Sequence, residues 1–174
     1  IVVIYKACLA LGLNPKAWCQ SKVIFIPKIG KDCYDSPKSF RPISLTDFMY
    51  KALERIVQWF LQESPHDIPS KQHKFQFAFA KNKSTDAALS QVVDKIEAGL
   101  LRNSYTLACF CDISGAFDSI SSDSIIRGMQ NKGIPSFLIK WFRRCLLTRS
   151  ASATINNDKI SRHLTKGTAQ GGVG

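Results

Sequence analysis

No apolar run in this sequence approaches the ~18–20 residues that a membrane-spanning helix needs, which argues against a transmembrane protein. There is no internal repeat and no low-complexity tract. Six cysteines are present but none forms a C-x-x-C pair, and with only three histidines no zinc-ligand spacing exists. A disulfide scaffold is therefore not expected, and a reducing compartment, cytoplasm or nucleus, is the default reading. No basic segment precedes the opening Ile1-Val2-Val3-Ile4 run, so no signal or transit peptide is read and secretion is not expected. The missing initial Met points to a chain that opens inside a larger protein.

Acidic residues are the scarcest class relative to their counterparts. Thirteen Asp and Glu stand against 24 Lys and Arg, for a formal charge of +11. The excess is uneven: residues 1–55 hold nine basic and four acidic side chains, 56–111 six and five, and 112–174 nine and four. Two basic regions thus flank a near-neutral middle, and a polyanionic partner is expected. What remains is ordinary: 174 residues, 45% apolar and 21% charged, are one soluble domain's worth of chain with enough apolar mass for a core.

Local signals give the elements. Residues 3–11 read as a helix closed by Gly12, and Lys22–Ile26 as a strand ending at Pro27. Residues 28–39, with Lys28, Lys31 and Lys38, read as an exposed basic loop, and Arg41–Leu45 as a second extended segment around Pro42. Thr46 reads as the cap of a helix. That helix carries two apolar rows, Phe48, Ala52, Ile56, Phe60 and Met49, Leu53, Val57, Leu61. A loop with Pro65 and Pro69 follows, then a helix capped by Ser84 with the stripe Ala88, Val92, Ile96, Leu100. Tyr105–Cys111 reads as a central strand with Cys109 and Cys111 in the core. Helices are expected over 122–132 and 136–148, the latter capped by Ser136. A hairpin over 151–164, turning at Asn156-Asn157-Asp158, completes the order. Strands and helices mix without strict alternation, which favours an α+β fold over a doubly wound sheet.

The segment Asp112-Ile113-Ser114-Gly115-Ala116-Phe117-Asp118 carries the chemistry. An apolar stretch delivers a carboxylate at its end, followed by a tight turn, an aromatic and a second carboxylate. A carboxylate so placed suits a hard cation such as Mg²⁺. It equally suits a residue that merely caps the turn. A phosphohydrolase using Asp112 as nucleophile is disfavoured, because such enzymes want a second Asp two residues on and Ser114 stands there.

This segment resembles the first catalytic-aspartate motif of reverse transcriptases, in the D-I-x-G-A-F-D form of non-LTR retrotransposons. Four further stretches resemble motifs of the same family in the same order. They are Ile24–Lys31 with Phe40–Thr46, the helix Lys51-Ala52-Leu53-Glu54-Arg55, Gln72-His73 with Lys83–Leu89, and Lys166–Val173. The pattern is nearest to jockey-like and chicken-repeat-like elements. The resemblance implies a partial right-hand polymerase, with residues 1–104 mainly fingers and 105–174 the first part of the palm. It implies an RNA-directed DNA polymerase using an RNA template, a DNA primer and deoxynucleoside triphosphates, within a retrotransposon polyprotein and away from membranes.

The resemblance also implies site roles. Asp112, with the carbonyl of Ile113, would ligate two Mg²⁺ ions, with Mn²⁺ as an alternative. Lys28 and Arg41 would meet the triphosphate, Phe117 the sugar, and Gln170 the incoming nucleotide. Gly171 and Gly172 would let the backbone approach substrate closely. Asp118 is expected to brace the turn and not to ligate metal. The sequence departs from the pattern at Lys166, Ala169 and Gly174, and the register around Gln72 and Gln76 is ambiguous. The family's Asp-Asp pair would lie beyond residue 174, so this stretch alone is expected to be inactive. The rival expectation is a basic RNA-binding remnant with no chemistry.

Overall fold

A computed structural model describes residues 1–63, 68 and 72–169 of the chain. Helix α1 (Val2–Leu11) stops where Gly12 enters the left-handed region at φ 66° and turns its amide back to the Cys8 carbonyl. Strand β1 (Gln20–Pro27) and strand β2 (Phe40–Leu45) form an antiparallel pair, from Lys22 opposite Leu45 to Pro27 opposite Phe40. Helix α2 (Phe48–Gln62) follows at once. Its cap is Asp47, not Thr46: the Asp47 carboxylate accepts from the amides of Met49 at 2.8 Å and Tyr50 at 3.3 Å. A carboxylate satisfies the same amides as a hydroxyl and adds its charge to the positive end of the helix.

Ser84 caps helix α3 (Thr85–Leu101) as expected, accepting from Ala87 N at 3.1 Å. Pro65 and Pro69 lie outside the described residues. One-turn helix α4 (Ala116–Ser119) leads to α5 (Ser122–Asn131) and α6 (Ser136–Thr148). Pro135 occupies the cap position of α6 and Ser136 is its first helical residue, so the expected Ser136 cap is not formed. Strands β3 (Ser150–Ile155) and β4 (Asp158–His163) make a hairpin through Asn156 and Asn157 at φ 48° and 71°. Two successive positive φ values suit the right-handed strand twist, and Asn tolerates them. The sheet order is β2-β1-β3-β4, with β1 and β3 parallel from Gln20 opposite Ser150 to Lys22 opposite Ser152. The architecture is mixed α and β around a four-stranded sheet, as the α+β reading anticipates.

The core joins both ends of the chain. Tyr5 and Cys8 of α1, Leu53 of α2, and Trp141 and Cys145 of α6 are buried together, with Trp18, Met49, Tyr50 and Phe142 packed around them. Its polar atoms are paired. Tyr5 Oη donates to the Met49 carbonyl at 2.9 Å, and Trp141 Nε1 donates to Asn14 Oδ1 at 3.0 Å. The Met49–Leu53–Val57 row of α2 packs into this core, joined by Ala52 of the other row. Phe48 of the other row is 80% exposed.

One expectation of burial fails, and a second apolar face is only partly covered. Helix α3 has no buried residue among those described: Ala88 and Ile96 of its stripe are half-buried, and Val92 and Leu100 are exposed. Tyr105–Cys111 is not a strand: it is bonded to none of the four strands, and Leu107 and Phe110 are 97% and 87% exposed. A strand needs a neighbour, and although β2 and β4 are open edges of the sheet this segment pairs with neither, so its exposed backbone turns to water. Cys109 and Cys111 are consequently exposed thiols, their sulfurs 3.8 Å apart, and not core residues. No helix among the described residues is long and apolar enough to cross a membrane.

Candidate functional site

The β1–β2 hairpin sets Lys28 and Arg41. Lys28 continues the ladder past Pro27, donating its amide to the Ser39 carbonyl at 2.9 Å. Arg41 sits opposite Ile26. Alternation therefore puts Lys28 and Arg41 on one face of the hairpin, diagonal to each other. The loop between them is shaped by its own hydrogen bonds. Lys28 Nζ donates to the Lys38 carbonyl at 2.8 Å, and Tyr34 Oη donates to the Lys28 carbonyl at 2.8 Å. Lys31, Lys38 and Arg41 are exposed. Lys28 Nζ is thus held by a main-chain oxygen within the loop.

Asp112 and Ile113 lie at the end of the unpaired 105–111 segment and are both exposed. A single solvated carboxylate matches the way Mg²⁺ is held, by one or two carboxylates, waters and substrate phosphates. Among the described residues no group of three or more His, Cys, Asp or Glu side chains gathers for a metal. The donor chemistry thus fits one carboxylate's share of a site.

The tightest construction lies just downstream. Gly115 at φ 61° opens α4, which carries Phe117, 42% exposed. The turn at Gly167 docks against this helix. Thr168 N donates to the Phe117 carbonyl and Gly167 N to the Ile120 carbonyl, each at 2.7 Å, and Ser121 bridges Lys166. Gly167 holds φ +80°, and a Cβ there would fall 2.7 Å from the Phe117 carbonyl oxygen. Only glycine allows that approach. Gln170, Gly171 and Gly172 lie outside the described residues, but the chain leading to them is fixed beside Phe117. The structure therefore sets Lys28 and Arg41 on one face of the hairpin and docks the Gly167 turn on the helix that carries Phe117.

Behind the turn lies a cavity of about 90 Å³ whose lining includes Tyr50, Glu54, Cys145, Arg149, Thr168 and Ala169. Burial pushes the Cys145 thiol up to about 12, against the opposing hydrogen bonds of Tyr50 and Asn14. Burial likewise raises the Tyr50 phenol and lowers the Arg149 guanidinium, the latter opposed by nearby Tyr50, Cys145 and Glu54. Arg149 Nη2 donates to the Gly167 carbonyl at 2.7 Å. Sequence reasoning missed Arg149, because a lone Arg before a strand carries no local signal. Glu54 had one: it follows Tyr50 by four positions at the rim of the apolar face of α2.

Residues 72–83 carry no acidic residue and interleave lysines with phenylalanines. Lys74 and Lys95 place their ammonium groups 4.9 and 4.8 Å from the Phe75 ring centroid, and Lys83 lies 5.1 Å from that of Phe77. Gln76 Nε2 donates to the Ala78 carbonyl at 2.9 Å, within the loop itself.

Residues 26–174 match the family described as reverse transcriptase (RNA-dependent DNA polymerase). The chain is 35% identical over 123 residues to the RNA-directed DNA polymerase from mobile element jockey of Drosophila funebris, covering 69% of this chain and 13% of that protein. It is 29% identical over 177 residues to the probable RNA-directed DNA polymerase from transposon BS of Drosophila melanogaster, covering 99% of this chain and 19% of the other. It is 31% identical over 117 residues to the retrovirus-related Pol polyprotein from a type-1 retrotransposable element of Bradysia coprophila, covering 67% and 11%. The chain thus spans less than a fifth of the length of these relatives.

Proposed function

This chain belongs to the reverse transcriptase (RNA-dependent DNA polymerase) family of non-LTR retrotransposons, and from that premise we propose that it forms the nucleotide-binding part of an RNA-directed DNA polymerase. In this reading residues 1–104 are mainly fingers and 105–174 the first part of the palm of a right-hand polymerase. Its partners are an RNA template, a DNA primer, deoxynucleoside triphosphates and the rest of a retrotransposon polyprotein. The observation that carries the reading is the docking of the Gly167 turn on the Phe117 helix, within the stretch that matches the family.

The reaction joins a primer 3′-hydroxyl to the α-phosphate of a deoxynucleoside triphosphate and releases pyrophosphate. Bound Mg²⁺ ions lower the charge cost on the attacking and leaving oxygens. Asp112, with the Ile113 carbonyl, is the part of this chain that would hold them. Lys28 and Arg41 bind the triphosphate, one as a point charge and one as a planar fork, from the same face of the hairpin. Phe117 lies against the sugar, where a ribose 2′-hydroxyl would meet its ring. Gln170 follows the docked turn and meets the nucleotide.

Primer extension on an RNA template tests this, using the chain continued past residue 174 and its Asp112→Asn variant. Template-dependent DNA synthesis that the variant loses by about a thousandfold or more is expected, on the scale of removing a metal-holding group. Synthesis that Asp112→Asn leaves intact refutes the assignment. The exposed, unpaired segment before Asp112 favours a second reading, a basic RNA-binding remnant. That reading predicts RNA binding with no extension from either form.

A further inference from the structure

We propose that Arg149 is a positioning residue of this site, clamping the Gly167 turn so that it stays docked on the helix that carries Phe117; the nucleotide half of this inference rests on the function proposed above. Arg149 follows the last residue of α6, where helix carbonyls lack intrahelical partners. Its Nε reaches back to the Leu146 carbonyl at 3.4 Å, and its Nη2 reaches out to the Gly167 carbonyl at 2.7 Å. One rigid guanidinium thus ties the end of a core helix to the turn. Leu146 is buried, so the inner end of this tie is fixed. Its main chain is fixed as well, because Leu164 N donates to the Arg149 carbonyl at 3.0 Å.

The outer end holds a turn that has few anchors of its own. Gly167 N and Thr168 N bind the carbonyls of Ile120 and Phe117, and the Arg149 bond takes the remaining polar atom of Gly167. Gly167 is buried, so without Arg149 its carbonyl would be left without this partner unless the turn shifted towards water. Glu54 faces the same cavity from α2, and its charge favours the guanidinium that burial disfavours.

The test compares wild type, Arg149→Ala, Arg149→Lys and Glu54→Gln in the 174-residue chain, reading amide hydrogen exchange and the affinity for dTTP with Mg²⁺. Exchange at Gly167 and Thr168 should quicken about tenfold or more in Arg149→Ala, the scale of one charge-assisted hydrogen bond. Helix α6 and the Trp141 core should keep their protection, and dTTP should bind more weakly by a similar factor. Arg149→Lys, which keeps the charge but lacks the fork, should recover part of both, and Glu54→Gln should show the same pattern more weakly. Unchanged exchange at the turn overturns the clamp. So does faster exchange throughout the chain in Arg149→Lys, which would make the residue a general stabiliser. A freed turn with unchanged dTTP affinity overturns the positioning role. If wild type binds no dTTP at all, the proposed function falls, and the exchange comparison still decides the clamp.

Discussion

Replacing Gly167 by Ala should destabilise the protein through a contact that no side chain can relieve. Two costs arise. Holding an L-residue in the left-handed region costs about 1–2 kcal/mol. The new Cβ would also fall 2.7 Å from the Phe117 carbonyl oxygen, 3.1 Å from that of Asp118 and 3.2 Å from Asp118 Cα, all of them backbone. Relief requires the turn to move off α4, giving up the two 2.7 Å hydrogen bonds of Gly167 N and Thr168 N. At a net 0.5–1.5 kcal/mol each, that adds about 1–3 kcal/mol. Gly30 supplies the control, since its φ of +78° is equivalent but nothing lies within 4 Å of a Cβ there. Gly30→Ala therefore pays only the backbone cost. Urea unfolding of both variants isolates the contact, and Gly167→Ala should lose about 1–3 kcal/mol more than Gly30→Ala. Equal losses would refute the close docking of the turn on the Phe117 helix.

Other outcomes follow from the same geometry. Cys145 has its thiol raised from 9.0 to about 12, so its stabilising contribution is complete below pH 9 and fades as pH climbs from 9 towards 12. Unfolding titrations should show this decline and Cys145→Ala should flatten it, while a thiol reagent at pH 8 should modify Cys109 and Cys111 and spare Cys8 and Cys145. Binding of fluorescent single-stranded RNA should weaken with salt, and Lys31→Ala with Lys38→Ala should shallow the log–log slope by about 0.7 per lost phosphate contact. Two unrelated RNA sequences should bind alike, and salt-insensitive binding would exclude the finger loop as the contact surface. In a polymerising form, Phe117→Val should lower the ratio of kcat/KM for deoxynucleotide over ribonucleotide, and an unchanged ratio would reduce Phe117 to packing.

What the sequence disclosed was written in short-range signals. Gly12, Ser84 and the Asn156-Asn157 turn each specify a conformation through their own backbone or a neighbour's amide, and all three hold. Errors arose where a choice depended on partners elsewhere. Thr46 and Asp47 are both competent caps, and only the tertiary path of the chain selects Asp47. The two rows of α2 are both apolar, and only the fold shows that Leu53 is fully buried while Phe48 is exposed. Tyr105–Cys111 has the composition of a strand but needs a neighbour to become one. Of the site, Lys28 and Arg41 share a face because of a register visible in two short strands, whereas Arg149 was invisible. Its meaning comes wholly from a carbonyl 18 positions away.

The parallel pairing of β1 with β3 also governs how the protein is made. Ser21 and the Ser150 carbonyl that its hydroxyl meets are 129 positions apart. During synthesis at roughly 5–20 residues per second, the β1–β2 hairpin is finished many seconds before β3 leaves the ribosome. Through that interval β1 shows an open edge whose sequence is Val23-Ile24-Phe25-Ile26, a short apolar run of the kind that pairs with copies of itself. The late β3–β4 hairpin, local and quick to close, docks afterwards but pairs only with Gln20–Lys22, so among the described residues no strand covers the Val23–Ile26 edge on that side. Chains stalled before residue 150 and chains that pass residue 163 should therefore both self-associate through this edge, and Ile24→Lys should suppress it in both.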